Sequence, residues 1–204
     1  MWDISLQIAI TVLAGVIFAE FAGYCAHVLL HSHKYKWLSE GHMIHHMKLY
    51  GPQMPQVHKE YLSATRDRFA IFGLGIEWIA TLGTYMAVLI LLAWLIGVPW
   101  YLILVFVGVH GFWAAVVYNY MHDAMHLSEF WMLKNTYFKN WFLKIRGYHE
   151  IHHRDVDDIG RMNTNYGICI FMVDRMFGTF QPKLKPFNKK GYKEAEKRYK
   201  SIIS

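Results

Sequence analysis

Long apolar runs alternate with short polar ones along this chain, and the lengths of the runs predict its elements. Ile4 to Leu30 is almost continuously apolar. At ~1.5 Å per residue such a helix crosses ~30 Å of hydrocarbon with turns to spare. A second apolar block runs from Phe69 to Tyr120, with Glu77 as its one charged residue and "GVPW" (Gly97 to Trp100) as a tight turn. That turn divides the block into two helices, each long enough to span. The pattern therefore predicts an all-α integral membrane protein of about three transmembrane helices, with the N-terminus outside and the C-terminus in the cytoplasm. The segment around Tyr166 to Phe180 is apolar enough to dip into the interface.

Charge placement supports that topology. Of the 21 Lys and Arg, six lie between Lys34 and Arg68 and the rest follow from Lys134 onward. Each basic block follows a long apolar stretch without Lys or Arg, as expected when both face the cytoplasm. The formal charge of +6 thus reports topology and contact with anionic headgroups, and its placement argues against a nucleic-acid partner. A cleaved signal peptide fits poorly, since Asp3 stands where a basic region belongs. Cys25 and Cys169 are far apart and form no thiolate metal motif, so both read as packing residues. One domain over 1–182 and a basic cytoplasmic tail over 183–204, read as a solvated helix or loose end, complete the organisation.

The candidate chemistry lies in the histidines. Ten of the 13 fall into "HVLLH" (His27, His31), "HMIHH" (His42, His45, His46), "HDAMH" (His122, His126) and "HEIHH" (His149, His152, His153). On a helix, i and i+4 share a face, and i, i+3, i+4 span an arc of about 100°. Neutral imidazole binds iron, copper, zinc and nickel, and inward-facing ligands on helix pairs build dimetal sites. The two pairs end the first and third spans and the triplets follow on cytoplasmic segments. All ten thus converge on one cytoplasmic layer, a histidine-rich helical cap with about five ligands for each of two metals. Their division between the metals is left open by spacing alone. Supporting candidates for a second shell or substrate cavity are Glu20 and Tyr24, on the His27 face of the first helix, and Asn119, one turn before His122. Asp123, Glu150 and Asp155 flank ligands and join them as candidate acceptors for ligand N–H groups, a solvated surface carboxylate being the more common reading of such residues. His110 points away from Asn119, and it reads with His33 and His58 as a packing residue.

These four boxes, with "NYG" (Asn165 to Gly167) and "DRMFGTF" (Asp174 to Phe180), resemble the membrane-bound fatty acid hydroxylase and sterol desaturase superfamily from about His27 to Phe180. The resemblance adds Asn165 to the supporting candidates. It implies a non-haem di-iron oxygenase that uses dioxygen and two external electrons to hydroxylate or desaturate an unactivated C–H bond of a membrane lipid. It also implies a separate electron-transfer protein, a ferredoxin or a b-type cytochrome with its reductase. Zinc is the other metal that this donor set readily accepts. The boxes are also similar to those of carotenoid ring hydroxylases. Outside that chemistry, a membrane metal transporter would place its ligands near mid-bilayer, and a haem carrier needs only two histidines per haem.

Overall fold

The computed structural model describes residues 3–52 and 76–204, with the side chains of 76–81 also left aside. Lys59, Arg66, Arg68, His58, the start of the second apolar block and the Glu77 side chain lie outside that description. The described residues are helical apart from turns and one isolated bridge, Val156 to Met162. Helix α1 covers Ile4–Leu30, capped by the Asp3 carboxylate on the Ser5 N–H. Helix α2 covers Lys36–Ile44 and runs on as a wide π turn, His45–Leu49. Helix α3 covers Ile76–Leu95. After the "GVPW" turn, where Gly97 takes φ +76°, α4 runs Trp100–Met125, widened over Ala114–Met121 by π turns.

Helices α1 and α4 are long and apolar enough to cross a membrane, and only 17% of each apolar stretch is buried. A helix in the core of a soluble protein would be mostly covered. Here Leu6, Ile10, Leu13, Ile17, Leu104 and Phe112 point outward, the pattern of a surface solvated by lipid.

The two helices run parallel in a fixed register. Tyr101 donates to Gln7 and Trp113 to Glu20, partners 94 and 93 positions apart. Phe106 meets Phe18 edge-on, and the Tyr118 hydroxyl donates to the Glu20 carbonyl at 3.1 Å. Glycine makes the close approach possible. A Cβ on Gly15 would lie 2.9 Å from Val109, and one on Gly23 would lie 1.9 Å from the Tyr118 ring. The same register brings His27 and His31 to the depth of His122 and His126.

The rest of the chain covers that end. Short helix α5 (Trp131–Lys134) leads to α6 (Lys139–Arg154), which carries the second triplet. Beyond it come α7 (Met172–Phe177) and α8 (Lys189–Ile203). The segment expected to be solvated or loose is thus a packed helix, because its apolar positions fall on one face. Ala195, Tyr199 and Ile202 bury against Met43, Met47, Val156 and Met162, and the Tyr199 hydroxyl donates to the His31 carbonyl.

Replacing Gly23 by Val should force α1 from Tyr118 at a cost of about 1–3 kcal/mol, lowering the thermal midpoint in detergent. Phe112→Ala, on the outward face, should leave it unchanged. Equal midpoints for Gly23→Val and the parent protein would refute the packing assigned to this helix pair.

Candidate metal centre

Each histidine box is placed by its helix. The two H-x3-H pairs end α1 and α4, and the H-x2-HH triplets end α2 and α6, so four helix ends deliver imidazoles to one layer. The structure sorts them into two groups. His27, His31, His42, His46 and His152 each offer a ligand nitrogen, all within 4.8 Å of one another, and so do His45, His126, His149 and His153. His122 lies outside that limit but beside the second group, its ring 4.8 Å from His149 and 5.0 Å from His45.

The triplets interlock. In α6, His149 and His153, at i and i+4, join the second group, while His152 turns to the first. In α2 and its π turn, His42 and His46 join the first group and His45 crosses to the second. Each group therefore gathers around one pair, two members of one triplet and the odd member of the other. The groups abut where His46 stacks on His153 at 4.0 Å.

Ring chemistry shows that the sites fit metal ions. The Nδ1 atoms of His27 and His152 lie 2.6 Å from the carbonyls of Tyr166 and Thr164, and that of His153 lies 3.1 Å from the Tyr50 carbonyl. A carbonyl only accepts, so each Nδ1 carries the hydrogen and each neutral ring turns an Nε2 lone pair toward the cluster. Nε2 atoms face one another at 3.0 and 3.3 Å (His42 to His31, His31 to His152). In the second group they do so at 2.9, 3.1 and 3.2 Å (His126 to His149, His149 to His153, His153 to His45). Imidazole nitrogens at about 2.1 Å from one ion and at right angles to each other are about 3.0 Å apart.

Hydrogen bonds within the cluster cannot satisfy it. Both nitrogens of His46 are buried without a partner, as are Nδ1 of His31 and Nδ1 of His149. Each such orphan costs about 1–3 kcal/mol. Protonation is no remedy. Burial, then the proximity of the other rings, holds His42, His45, His46, His149 and His153 well below the usual imidazole range. Burial pushes His152 down to about 4.

The supporting candidates divide. Asn165 and Tyr24 belong to a knot that holds the site. Asn165, at φ +53°, a left-handed conformation that Asn tolerates, donates to the Tyr148 and Gln181 carbonyls and accepts from the Gln181 N–H. Its neighbours Thr164 and Tyr166 supply the carbonyls that orient His152 and His27. Tyr24 packs edge-on against Tyr166, with its hydroxyl 3.3 Å from that of Thr179. Glu20 accepts from Trp113 at 2.7 Å, across the α1–α4 pair and two turns before His27. Asp123 lies 3.6 Å from His122 Nδ1, beyond hydrogen-bond reach. Asn119 sits in the π-widened turn before His122. Glu150 and Asp155 correct the expectation from sequence: cations take both, Arg154 at 3.0 Å and Lys185 at 2.9 Å.

Spacing rules missed four residues. Tyr50, Thr164 and Tyr166 act through main-chain carbonyls, which carry no side-chain signature. Tyr50 also stacks on His126 at 4.0 Å. Asp174, fully buried, accepts from the N–H groups of Tyr166 and Gly167 and from the Thr179 hydroxyl, each at 2.8 Å. A Cβ on Gly167 would lie 2.6 Å from the Ile170 carbonyl and 2.8 Å from the Asp174 carboxylate, so that position requires glycine. The "NYG" and "DRMFGTF" motifs are thus two halves of one turn, and "DRMFGTF" was the available signal for Asp174. His110, in mid-span, faces Tyr85 and Phe106, and His33 faces Arg198.

Among known proteins, a sequence profile described as fatty acid hydroxylase matches residues 12–179, the stretch holding all four histidine boxes together with Asn165 and Asp174. No curated protein and no solved structure matches the chain significantly.

Metal retention should follow the depressed imidazole values. A folded value near 4 against an ordinary 6.5 keeps His152 a neutral ligand below the pH at which free histidine protonates. The unfolded chain takes up that proton first, so this group's contribution to stability is fully present above 6.5 and is lost as pH falls toward 4. Metal analysis after dialysis should show release centred well below pH 6.5. Asp174→Asn sets an amide N–H against the turn's donors and should move release toward neutrality, through affinity reduced about 10–100-fold. Release centred at 6.5 in the parent protein would contradict this assignment.

Proposed function

Because the chain belongs to the fatty acid hydroxylase family, we propose that it is a membrane di-iron monooxygenase that hydroxylates, or desaturates, an unactivated C–H bond of a lipid. The observation that carries this reading is the pair of convergent, buried all-histidine groups at the ends of two parallel apolar helices. His27, His31, His42, His46 and His152 hold one iron. His45, His126, His149 and His153, with His122 beside them, hold the other. Bound there, the metal pair supplies dioxygen activation and the cleavage of a C–H bond, using two external electrons.

The chain's own residues supply position and dryness. Tyr166, Thr164 and Tyr50 fix the orientation of three ligand rings through their carbonyls. On one side Met121, Ala124 and Met125 pack with Phe142 and Ile145. On the other, Met43, Met47 and Met162 pack under α8. Water is thereby kept from a reactive centre. Three spans put the N-terminus outside and the metal layer just inside the cytoplasmic surface. Parallel α1 and α4 fit that topology, with α3 returning between them. Lipid then reaches the metals from the bilayer, and a ferredoxin or b-type cytochrome delivers electrons from the aqueous side. An all-imidazole shell also takes zinc, which binds more tightly than ferrous iron in the general order.

Lipid extracts from cells making this protein under isotopically labelled dioxygen, compared with cells making His46→Ala, should show one species carrying a single labelled oxygen, or lacking two hydrogens, only with the intact protein. Identical lipid profiles from an iron-loaded protein supplied with a competent reductant would exclude lipid oxidation.

A further inference from the structure

An open groove of about 620 Å³ lies between α6 and the loop entering α7, lined by Trp141, Tyr148, Met172 and Met176 among others, with Ile145 and Phe171 at its base. Its volume falls in the range of sites that take a small molecule or a single chain. The charged residues lining it are Lys144 and Arg175, both cationic. Among the described residues neither is paired with a carboxylate, and the Arg175 guanidinium rests 4.2 Å over the Phe180 ring. An apolar trough bordered by unneutralised cations complements an anionic amphiphile.

Its position fixes the kind of amphiphile. The Phe177 ring of α7 stacks on Tyr24 at 5.4 Å and tilts against Phe21 at 6.4 Å, both on the last turns of the spanning helix α1. Met176 and Phe177 are nonetheless 71% and 57% exposed, with Trp141 on α6 and Phe138 just before it also open. Exposed aromatic and Met side chains flanked by Lys and Arg, level with the end of a span, mark the membrane interface. A free phosphate would leave the apolar floor unused, whereas a lipid uses both floor and rim.

We propose that this groove binds one anionic membrane lipid, its acyl chain lying against Trp141, Tyr148 and Met172 and its headgroup charge held by Lys144 and Arg175. The groove contains no clustered histidine, and the proposal stands independently of the oxygenase reading. A lipid seated there braces α6 against α7, the two elements that carry the second triplet and the Asp174 turn.

Native mass spectrometry of the full-length protein, titrated with phosphatidylglycerol and with phosphatidylcholine of the same acyl chains, tests this. Phosphatidylglycerol should be retained about tenfold more tightly, or better, the effect of two cations near an anionic headgroup. Lys144→Glu with Arg175→Glu should abolish that preference. Lys190→Glu with Lys193→Glu on α8, the same change in net charge, should keep it, and circular dichroism should show both variants folded. Equal retention of the two lipids, equal loss of preference in the two variants, or displacement of the lipid by millimolar inorganic phosphate would each overturn the proposal.

Discussion

A neutral imidazole has one lone pair and one N–H, and burying several with their lone pairs turned toward one another is unfavourable unless something electrophilic sits between them. This protein does so twice over. Carbonyls fix the hydrogens of His27, His152 and His153 on the outer nitrogens, while His46 has no protein partner at either nitrogen. A metal ion relieves what hydrogen bonding cannot. The fold is therefore a frame held together around an unfavourable cluster, and the elements far from it make sense through what they do for it.

Two devices build the frame. One is the parallel register of α1 and α4, set by Gly15 and Gly23 and by the Gln7 and Glu20 hydrogen bonds, which lands both H-x3-H pairs at one depth. The other is the turn closed by Asn165 and Asp174, which fixes the carbonyls that orient one ring from α1 and one from α6. Helix α8 packs over the histidine layer, and its Tyr199 hydroxyl donates to the His31 carbonyl. Ligand direction is thus decided largely by main-chain groups.

Much of this was legible in the sequence, because its signals are periodic. The apolar run predicted α1 with the bounds it has, Ile4–Leu30, and the "GVPW" turn fell where α4 begins. The boxes identified the histidines because helical spacing dictates which rings share a face. Spacing could not divide them between two sites: His45 and His152 leave their own triplets, and the π turn at His45–Leu49 is not encoded by any simple period. Nor could it show that Glu150 and Asp155 face Arg154 and Lys185, since a carboxylate beside a ligand reads the same whichever way it points. The lysine-rich tail reads as a solvated helix or loose end; it is a helix, and about one apolar position per turn is enough to dock it.

Outward-facing apolar helices with a buried, all-imidazole layer at their ends suit a reaction whose substrate stays in the bilayer. The most direct test of the account is the metal content and X-ray absorption spectrum of the purified, iron-loaded protein. The account requires two metal ions per chain, each bound by nitrogen donors at about 2.0–2.2 Å, with sulfur absent from both shells. A single ion per chain, or a shell containing thiolate sulfur, would contradict it.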